Sequence, residues 1–288
     1  MKKILLFAVV IALLEPVTAE EFRVGNEKDF QEAAKKVAAG DVIVLKDGVW
    51  KDSRLEIKAS GDSDAVITIT AETPGKVIFK GDSRISLGGR HLVVDGLWFQ
   101  NPTGEESIEF RADSKNLARD CRVTNCAVTN DDTNFERKET SRFLSLYGSG
   151  HRIDRCYFSG KTTGGPTAVV WLVEGDPASH RLDHNHFGER EKLGKNGGET
   201  IRLGDSNTSM MTASCVVEDN LFEKCNGEAE CISNKSCGNI YRRNYFVEVS
   251  GTLTLRHGND CLVEENVFLG KGAKGTGGVR VIGEGHVV

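Results

Sequence analysis

Along this chain an apolar residue, two mostly polar residues, often an Asn, one more residue and then a Phe recur as a loose motif. The copies are Val94 to Phe99, Ile153 to Phe158, Leu182 to Phe187, Val217 to Phe222, Tyr241 to Phe246 and Val263 to Phe268. The Asn is explicit at Asn185, Asn220, Asn244 and Asn266, and a weaker copy, Val123 to Val128, lacks the Phe. The last apolar residues of the copies, Phe99, Val128, Phe158, Phe187, Phe222, Phe246 and Phe268, are separated by 29, 30, 29, 35, 24 and 22 residues. A repeat of this size is the signature of a solenoid. The segments are short, β-branched and bounded by Gly, Asn and Asp, which marks strands and turns rather than helices.

The shortest interval fits one coil of a right-handed parallel β-helix with three short strands, and the longer ones then carry loop insertions on one side. Asn at one place in successive coils stacks amide on amide, and Phe stacks in the interior. A propeller is the main competitor, but its blades need about 40 residues or more. One helix is also legible. Asn26 caps it, Phe30, Ala33, Ala34 and Val37 share a face at helical spacing, and Gly40 ends it. At the start of a solenoid it is expected to cap the first coil, where strand edges and stacked apolar residues are otherwise open. At the other end Gly277 to Gly283 reads as one more strand, and Val287-Val288 stands where another Asn-x-Phe segment is due. The expectation is therefore a coil array that is truncated at its C-terminus or covered there by another chain.

Composition adds a compartment. Lys2 and Lys3, the apolar run Ile4 to Leu14 and the small residues Val17-Thr18-Ala19 read as a signal peptide over 1–19, leaving 20–288 as the β-helix domain. The run is short for a bilayer span. Loss of Lys2, Lys3 and Glu15, together +1, takes the net charge from −5 to −6. Such a secreted or periplasmic protein is not built for nucleic acid, and no membrane contact is expected after signal removal. Eight cysteines (Cys121, Cys126, Cys156, Cys215, Cys225, Cys231, Cys237 and Cys261) permit disulfides. Several occupy equivalent places in the repeat, so most are expected to be small buried stack residues, with Cys231 and Cys237 the best local pair.

The chemistry concentrates near the end of the array. Glu228 and Glu230 are one residue apart, so on extended chain they point the same way. Lys235 follows five residues on and Arg256 twenty-one after that, close to one coil. Each has a duller reading alone: a Glu-x-Glu pair is a solvated face, Lys235 a turn residue, Arg256-His257 a surface pair and Asn196-Gly197-Gly198 a plain loop. Jointly they describe a cation site beside a proton-transfer pair, suited to an acidic substrate.

These residues resemble the active-site pattern of polysaccharide lyase family six, which holds alginate lyases and the dermatan-cleaving chondroitinase B. The resemblance rests on Asn196-Gly197-Gly198-Glu199-Thr200-Ile201-Arg202-Leu203-Gly204, on Glu228-x-Glu230 to Asn234-Lys235-Ser236, and on Arg256-His257-Gly258. It implies calcium-dependent β-elimination on a parallel β-helix. Asn196, Glu228 and Glu230 would hold Ca²⁺, Lys235 would be the base and Arg256 the acid. Arg202, His257 and Arg280 match positions that bind the sugar chain.

Physical chemistry supports the division of labour. Elimination removes the proton on the carbon beside a uronate carboxylate, and charge then builds on that carboxylate, where a cation stabilises it most. Ca²⁺ takes oxygen ligands in flexible geometry. Lys235 must lose its proton to act, which crowding by cations favours. Arg256 holds its proton too tightly to be a simple acid. It can stabilise the departing oxygen while water or His257 delivers the proton. Alginate is the expected substrate. The alternatives are dermatan sulfate, a non-catalytic β-helix carbohydrate-binding or adhesion protein, and glycoside hydrolysis by paired carboxylic acids, which gives Lys235 no role. The Asn130 to Asn134 run lacks the Gly and terminal Glu of a calcium loop. Gly270 to Gly278 is expected to be a turn rather than a phosphate loop. Tyr147 is a candidate for stacking on a sugar or for an ordinary core or rim position.

Overall fold

A computed structural model describes residues 19–132 and 139–288. The expected signal segment therefore lies outside the described residues except for Ala19, as do Thr133 and Asn134. Each coil contributes one strand to each of three parallel sheets, and the chain winds through sheets one, two and three in turn before starting the next coil. In one coil these strands are Arg181–Asp183, His186–Phe187 and Ile201–Leu203, and the next coil opens with Val216–Glu218. Among the described residues sheet one has ten strands and the other two have nine each. No helix among them is long and apolar enough to cross a membrane.

The register follows the sequence motif. In sheet two, Phe99, Val128, Phe158, Phe187, Phe222, Phe246 and Phe268 are successive partners. Their rings stack at 5.3 Å (Phe158–Phe187), 5.0 Å (Phe187–Phe222), 4.7 Å (Phe222–Phe246) and 4.6 Å (Phe246–Phe268). In sheet one, Ile153, Leu182, Val217, Tyr241 and Val263 align likewise and fill the interior. A fully buried side chain of this kind contributes about 1.5–3 kcal/mol, so the column adds to the hydrogen-bonded ladders that join the coils.

The corner between sheets one and two explains the Asn. One residue there takes the left-handed conformation, as Arg155 (φ 53°), His184 (56°), Asp219 (55°) and Arg243 (52°) do. Such a backbone is costly for a residue with a Cβ. The next residue compensates. Asn220 Nδ2 donates to Asn244 Oδ1 (3.0 Å) and to the Leu182 carbonyl (2.8 Å), while its own Oδ1 accepts from the Asn185 backbone N–H (2.9 Å) and Asn185 Nδ2 (3.0 Å). The ladder runs on through Asn266. In the earlier coils Cys126 and Cys156 take the same place. All eight cysteines are buried and none is in a disulfide, as expected for stack residues, and Cys231 and Cys237, the best local pair, are not bridged. Cys231 sits within strand Glu230–Lys235, whereas Cys237 has already passed into the following corner.

Two expectations need correction. The helix covers Glu27–Ala34 and stops a turn short of Gly40, although Asn26 caps it and Phe30, Ala33, Ala34 and Val37 are buried. The chain leaves the helix early because Asp41 Oδ2 accepts the Ala38 N–H (2.8 Å) and Oδ1 the Glu20 N–H (2.8 Å), which pins the connection to the first strand. The loop insertions fall not on one side but at both edges of sheet three. In the coil with the 35-residue interval they are residues 188–200 and 204–215. They rise as two banks beside that sheet. The strand expected near the C-terminus is Thr276–Val281, paired with Gly251–His257.

Candidate active site

Sheet three brings the candidate residues together. Strand Glu230–Lys235 lies between Ile201–Leu203 and Gly251–His257. Strict alternation along Gly251–His257 would put only one of Arg256 and His257 outside. A register shift between Asn234 and Lys235 pairs Lys235 with His257 and leaves Arg256 as the extra residue, so both side chains reach the outer face. Beneath them Asn234 is fully buried. Its Nδ2 donates to the carbonyls of Ser236 (2.9 Å) and His257 (2.8 Å), and its Oδ1 accepts from Asn239 Nδ2 (2.8 Å) and the Tyr241 hydroxyl (2.7 Å). This satisfied polar network fixes the ends of the strands that present Lys235 and His257.

The result is an open groove of about 510 Å³ lined by Asn196, Glu228, Glu230, Lys235, Arg256, His257 and Arg280, together with Lys192, Lys195 and Ser206. Glu230 is buried; its Oε2 accepts from Ser233 Oγ (2.6 Å), and its Oε1 faces Arg256 NH1 at 3.0 Å and Arg280 NH1 at 3.6 Å. Glu228 Oε2 accepts the backbone N–H groups of Gly197 (2.8 Å) and Gly198 (3.0 Å), which ties the carboxylate to the turn that carries Asn196. Partial burial raises the Glu228 carboxyl above its usual range, with the charges of Glu199 and Glu230 adding to it against those two N–H groups. Lys235 is in no ion pair among the described residues, and His257 Nδ1 is buried without a partner.

Arg202 is the one expected site residue outside the groove lining. It shares a register row on sheet three with Ser233, Thr254 and Arg280. Its guanidinium lies 5.2 Å from the centre of the Trp171 ring, and burial lowers its proton affinity. Tyr147 stacks on Trp171 at 5.7 Å with the Arg111 guanidinium 3.9 Å from its ring centre, so protein groups already occupy its surroundings.

Sequence reasoning missed what holds the Asn196 turn. Arg190 is 3% exposed and faces carbonyls rather than a carboxylate. It donates to the carbonyls of Glu199 (2.5 Å), Gly197 (3.3 Å), Gly165 (2.9 Å) and Thr163 (3.1 Å) and to Thr167 Oγ1 (3.2 Å). Burial pulls it down to about 10. Gly198 and Gly227 press together above it, since a Cβ on Gly227 would lie 2.1 Å from the Gly198 oxygen and 2.8 Å from Arg190 Nε. Nearby, Lys161 Nζ donates to the carbonyls of Thr163 (2.7 Å) and Gly164 (2.8 Å). No local motif marks either cation. The one signal in the sequence is their place in insertions next to the glycine pair.

Among the described residues no three His, Cys, Asp or Glu side chains converge as a metal set. The oxygen set here is two carboxylates and an amide, Glu228, Glu230 and Asn196, in one groove. Glu199 lies close enough to act on the Glu228 charge, and its Oε2 is buried without a partner. All-oxygen donors that include two carboxylates, in an open groove, suit a hard divalent cation such as Ca²⁺ and do not suit zinc.

Comparison with known proteins gives a consistent picture. The family model described as Chondroitinase B matches residues 24–288. No curated protein matches. Among solved structures, the PL6 family alginate lyase AlyGC is 43% identical with a TM-score of 0.88, over 91% of this chain and 36% of that one. A mannuronic acid specific polysaccharide family 6 lyase from human gut microbiota is 37% identical with a TM-score of 0.87, over 93% of this chain and 63% of that one. A PL6 alginate lyase in complex with a trisaccharide is 25% identical with a TM-score of 0.75, over 95% and 59%. The chain thus spans between about a third and two thirds of the length of these relatives.

Proposed function

The chain belongs to polysaccharide lyase family six, and from that premise we propose that it is an exported lyase that cleaves alginate by β-elimination. The observation that carries the reading is the groove itself. Residues drawn from four successive coils, Asn196, Glu228, Glu230, Lys235, Arg256 and Arg280, line one cavity. Alginate is favoured over dermatan sulfate because the solved relatives of highest identity described above are named for alginate or mannuronic acid.

Asn196, Glu228 and Glu230 would hold Ca²⁺, which when bound would neutralise the substrate carboxylate and acidify the adjacent C–H. The chain's own side chains account for the remaining steps. Lys235 Nζ, in no ion pair among the described residues, takes the proton from the carbon beside the carboxylate. The electron pair of that C–H bond becomes the new C=C bond as the bond to the glycosidic oxygen breaks. Arg256, held at 3.0 Å by Glu230, presents a fixed positive fork to the departing oxygen. Water or His257 supplies the proton that this oxygen needs. Arg280, 53% exposed beside Glu230, is placed to pair with a neighbouring uronate.

The products carry an unsaturated uronate at the new non-reducing end. Ultraviolet absorbance of the conjugated enoate, with alginate and calcium, therefore reads the reaction directly. Lys235→Ala should abolish the signal while leaving the thermal melt unchanged, and Glu228→Ala should recover part of its rate in excess Ca²⁺. No rise with alginate, dermatan sulfate or any other uronate polymer would refute the proposal, and a full rate in Lys235→Ala would remove Lys235 as the base. Export rests on the Lys2-Lys3 and Ile4 to Leu14 segment. N-terminal sequencing of the protein recovered outside the cytoplasm should begin after Ala19.

A further inference from the structure

The catalytic groove does not end at the Glu228 wall. A second cavity of about 560 Å³ adjoins it and shares Lys192, Glu228 and Ala229 with it. Its far side is formed by Ser250, Gly251, Thr252, Lys274 and Gly275. Two connections build it. Leu193 N–H donates to the Gly227 carbonyl (2.9 Å), which fastens the Lys192 loop beside the Glu228 turn. Ser250 bridges the other bank, its N–H donating to Asn226 Oδ1 (2.6 Å) and its Oγ to the Lys274 carbonyl (2.8 Å). The floor is low because Gly251 lies at φ 151°, where a Cβ would meet the Glu228 oxygen at 2.9 Å.

Charge separates this cavity from two acidic cavities elsewhere on the coils. Lys192 and Lys274 are both exposed, and neither is in an ion pair among the described residues. Its one acid is Glu228, which belongs to the shared wall. A cavity of about 510 Å³ on the early coils sets five acids, Asp82, Glu105, Glu106, Glu109 and Asp113, against three arginines. Another, beside Asn130, carries Asp131, Glu189 and Glu191 with no Lys or Arg. A polyanion that enters the catalytic groove is repelled by both of these and attracted by the lysine-lined cavity.

We propose that this second cavity is a further saccharide subsite, in which Lys192 and Lys274 pair with the carboxylates of uronate residues beyond the one presented to Lys235. The inference rests on the reading of the groove as a polyuronate site and extends it by giving the polymer a direction, across sheet three toward the Lys274 turn. Each lysine acts as an exposed charge on a flexible stem. Its contribution is that of one solvent-accessible ion pair, and it reaches only a chain long enough to extend past Glu228.

The experiment uses the Lys235→Ala protein, so that ligand binds without being cut, and measures the affinity of a short and a long oligouronate by titration calorimetry with calcium present. Lengthening the ligand should strengthen binding. Lys274→Ala should weaken the long ligand about threefold, the scale of one exposed charge pair, and leave the short one unchanged. Lys274→Glu should weaken the long ligand further, and added Lys192→Ala should compound the loss. An equal loss for both lengths, or no loss for the long ligand, overturns the subsite. The enoate assay on the unmodified protein keeps the two readings apart. Length-dependent binding without cleavage leaves the subsite standing and removes the lyase, whereas cleavage without a length-dependent effect of Lys274 does the reverse.

Discussion

Replacing Arg190 by Met tests the link between the fold and the groove. The guanidinium has five acceptors, but they do not depend on it equally. The Thr163 carbonyl keeps its bond from Lys161 Nζ (2.7 Å) and the Glu199 carbonyl keeps the Thr167 N–H (3.1 Å). The carbonyls of Gly165 and Gly197 have no other donor among the described residues. Two orphaned carbonyls cost at most about 1–3 kcal/mol each, since both are only half-buried. Removing a buried charge that has no carboxylate in contact returns part of that cost. The net expectation is a loss of about 2–4 kcal/mol, a fall of roughly 4–16 °C in melting temperature for a chain of this size. The Gly197 carbonyl adjoins the Asn196 turn, so the variant should also need more calcium for half-maximal stabilisation in a thermal titration, a readout that requires no turnover. Arg190→Lys should recover part of both effects. A variant with unchanged melting and unchanged calcium response would show that these bonds do not hold the turn.

Further expectations follow from the same contacts. Burial, with the charges of Arg190 and Arg142, pulls Lys161 down to about 6 against the opposing pull of Glu106 and Glu199. Between that value and the ordinary lysine range the unfolded chain binds the extra proton, so stability should rise with pH through this window, by at most about 1.4 kcal/mol per unit. The difference in stability between the unmodified protein and Lys161→Met, followed by denaturant titration from mildly acidic to alkaline pH, should grow with pH, and a flat difference would count against the assignment. Asn220→Ala should cost about 2–4 kcal/mol, because the Asn185 N–H loses its acceptor and a gap opens in the ladder. Chemical denaturation measures this, and a loss below about 0.5 kcal/mol would mean that the ladder is incidental.

The sheet-two register was legible because a solenoid repeats its environment once per coil. The later coils repeat an aromatic in the interior and an amide or thiol behind a left-handed corner residue, so Phe187, Phe222, Phe246 and Phe268 could be aligned before any pairing was known. Glu228, Glu230, Lys235 and Arg256 were legible for the same reason, since separations near one coil imply neighbours on one face. The helix end was not, because Asp41 stops the helix through contacts with the strand connection rather than through a local stop signal. Nor were the insertions at both edges of sheet three, whose placement a coil period does not encode.

By itself, then, the sequence determined the coil architecture, the stacked interior and the cluster of candidate site residues, because these depend on periodicity, and periodicity is written along the chain. Tertiary structure alone decided the rest. It made Arg256 a bulged residue that shares the outer face with His257, it placed Arg202 beside Trp171 instead of in the groove, and it buried Arg190 under the Gly198–Gly227 contact. It also joined Lys192 and Lys274, 82 positions apart, across one cavity. The Arg256 bulge depends on a register shift between paired strands, and the others depend on how insertions of unequal length fold back over the coils. Their side chains meet through space, at separations that match no period in the sequence.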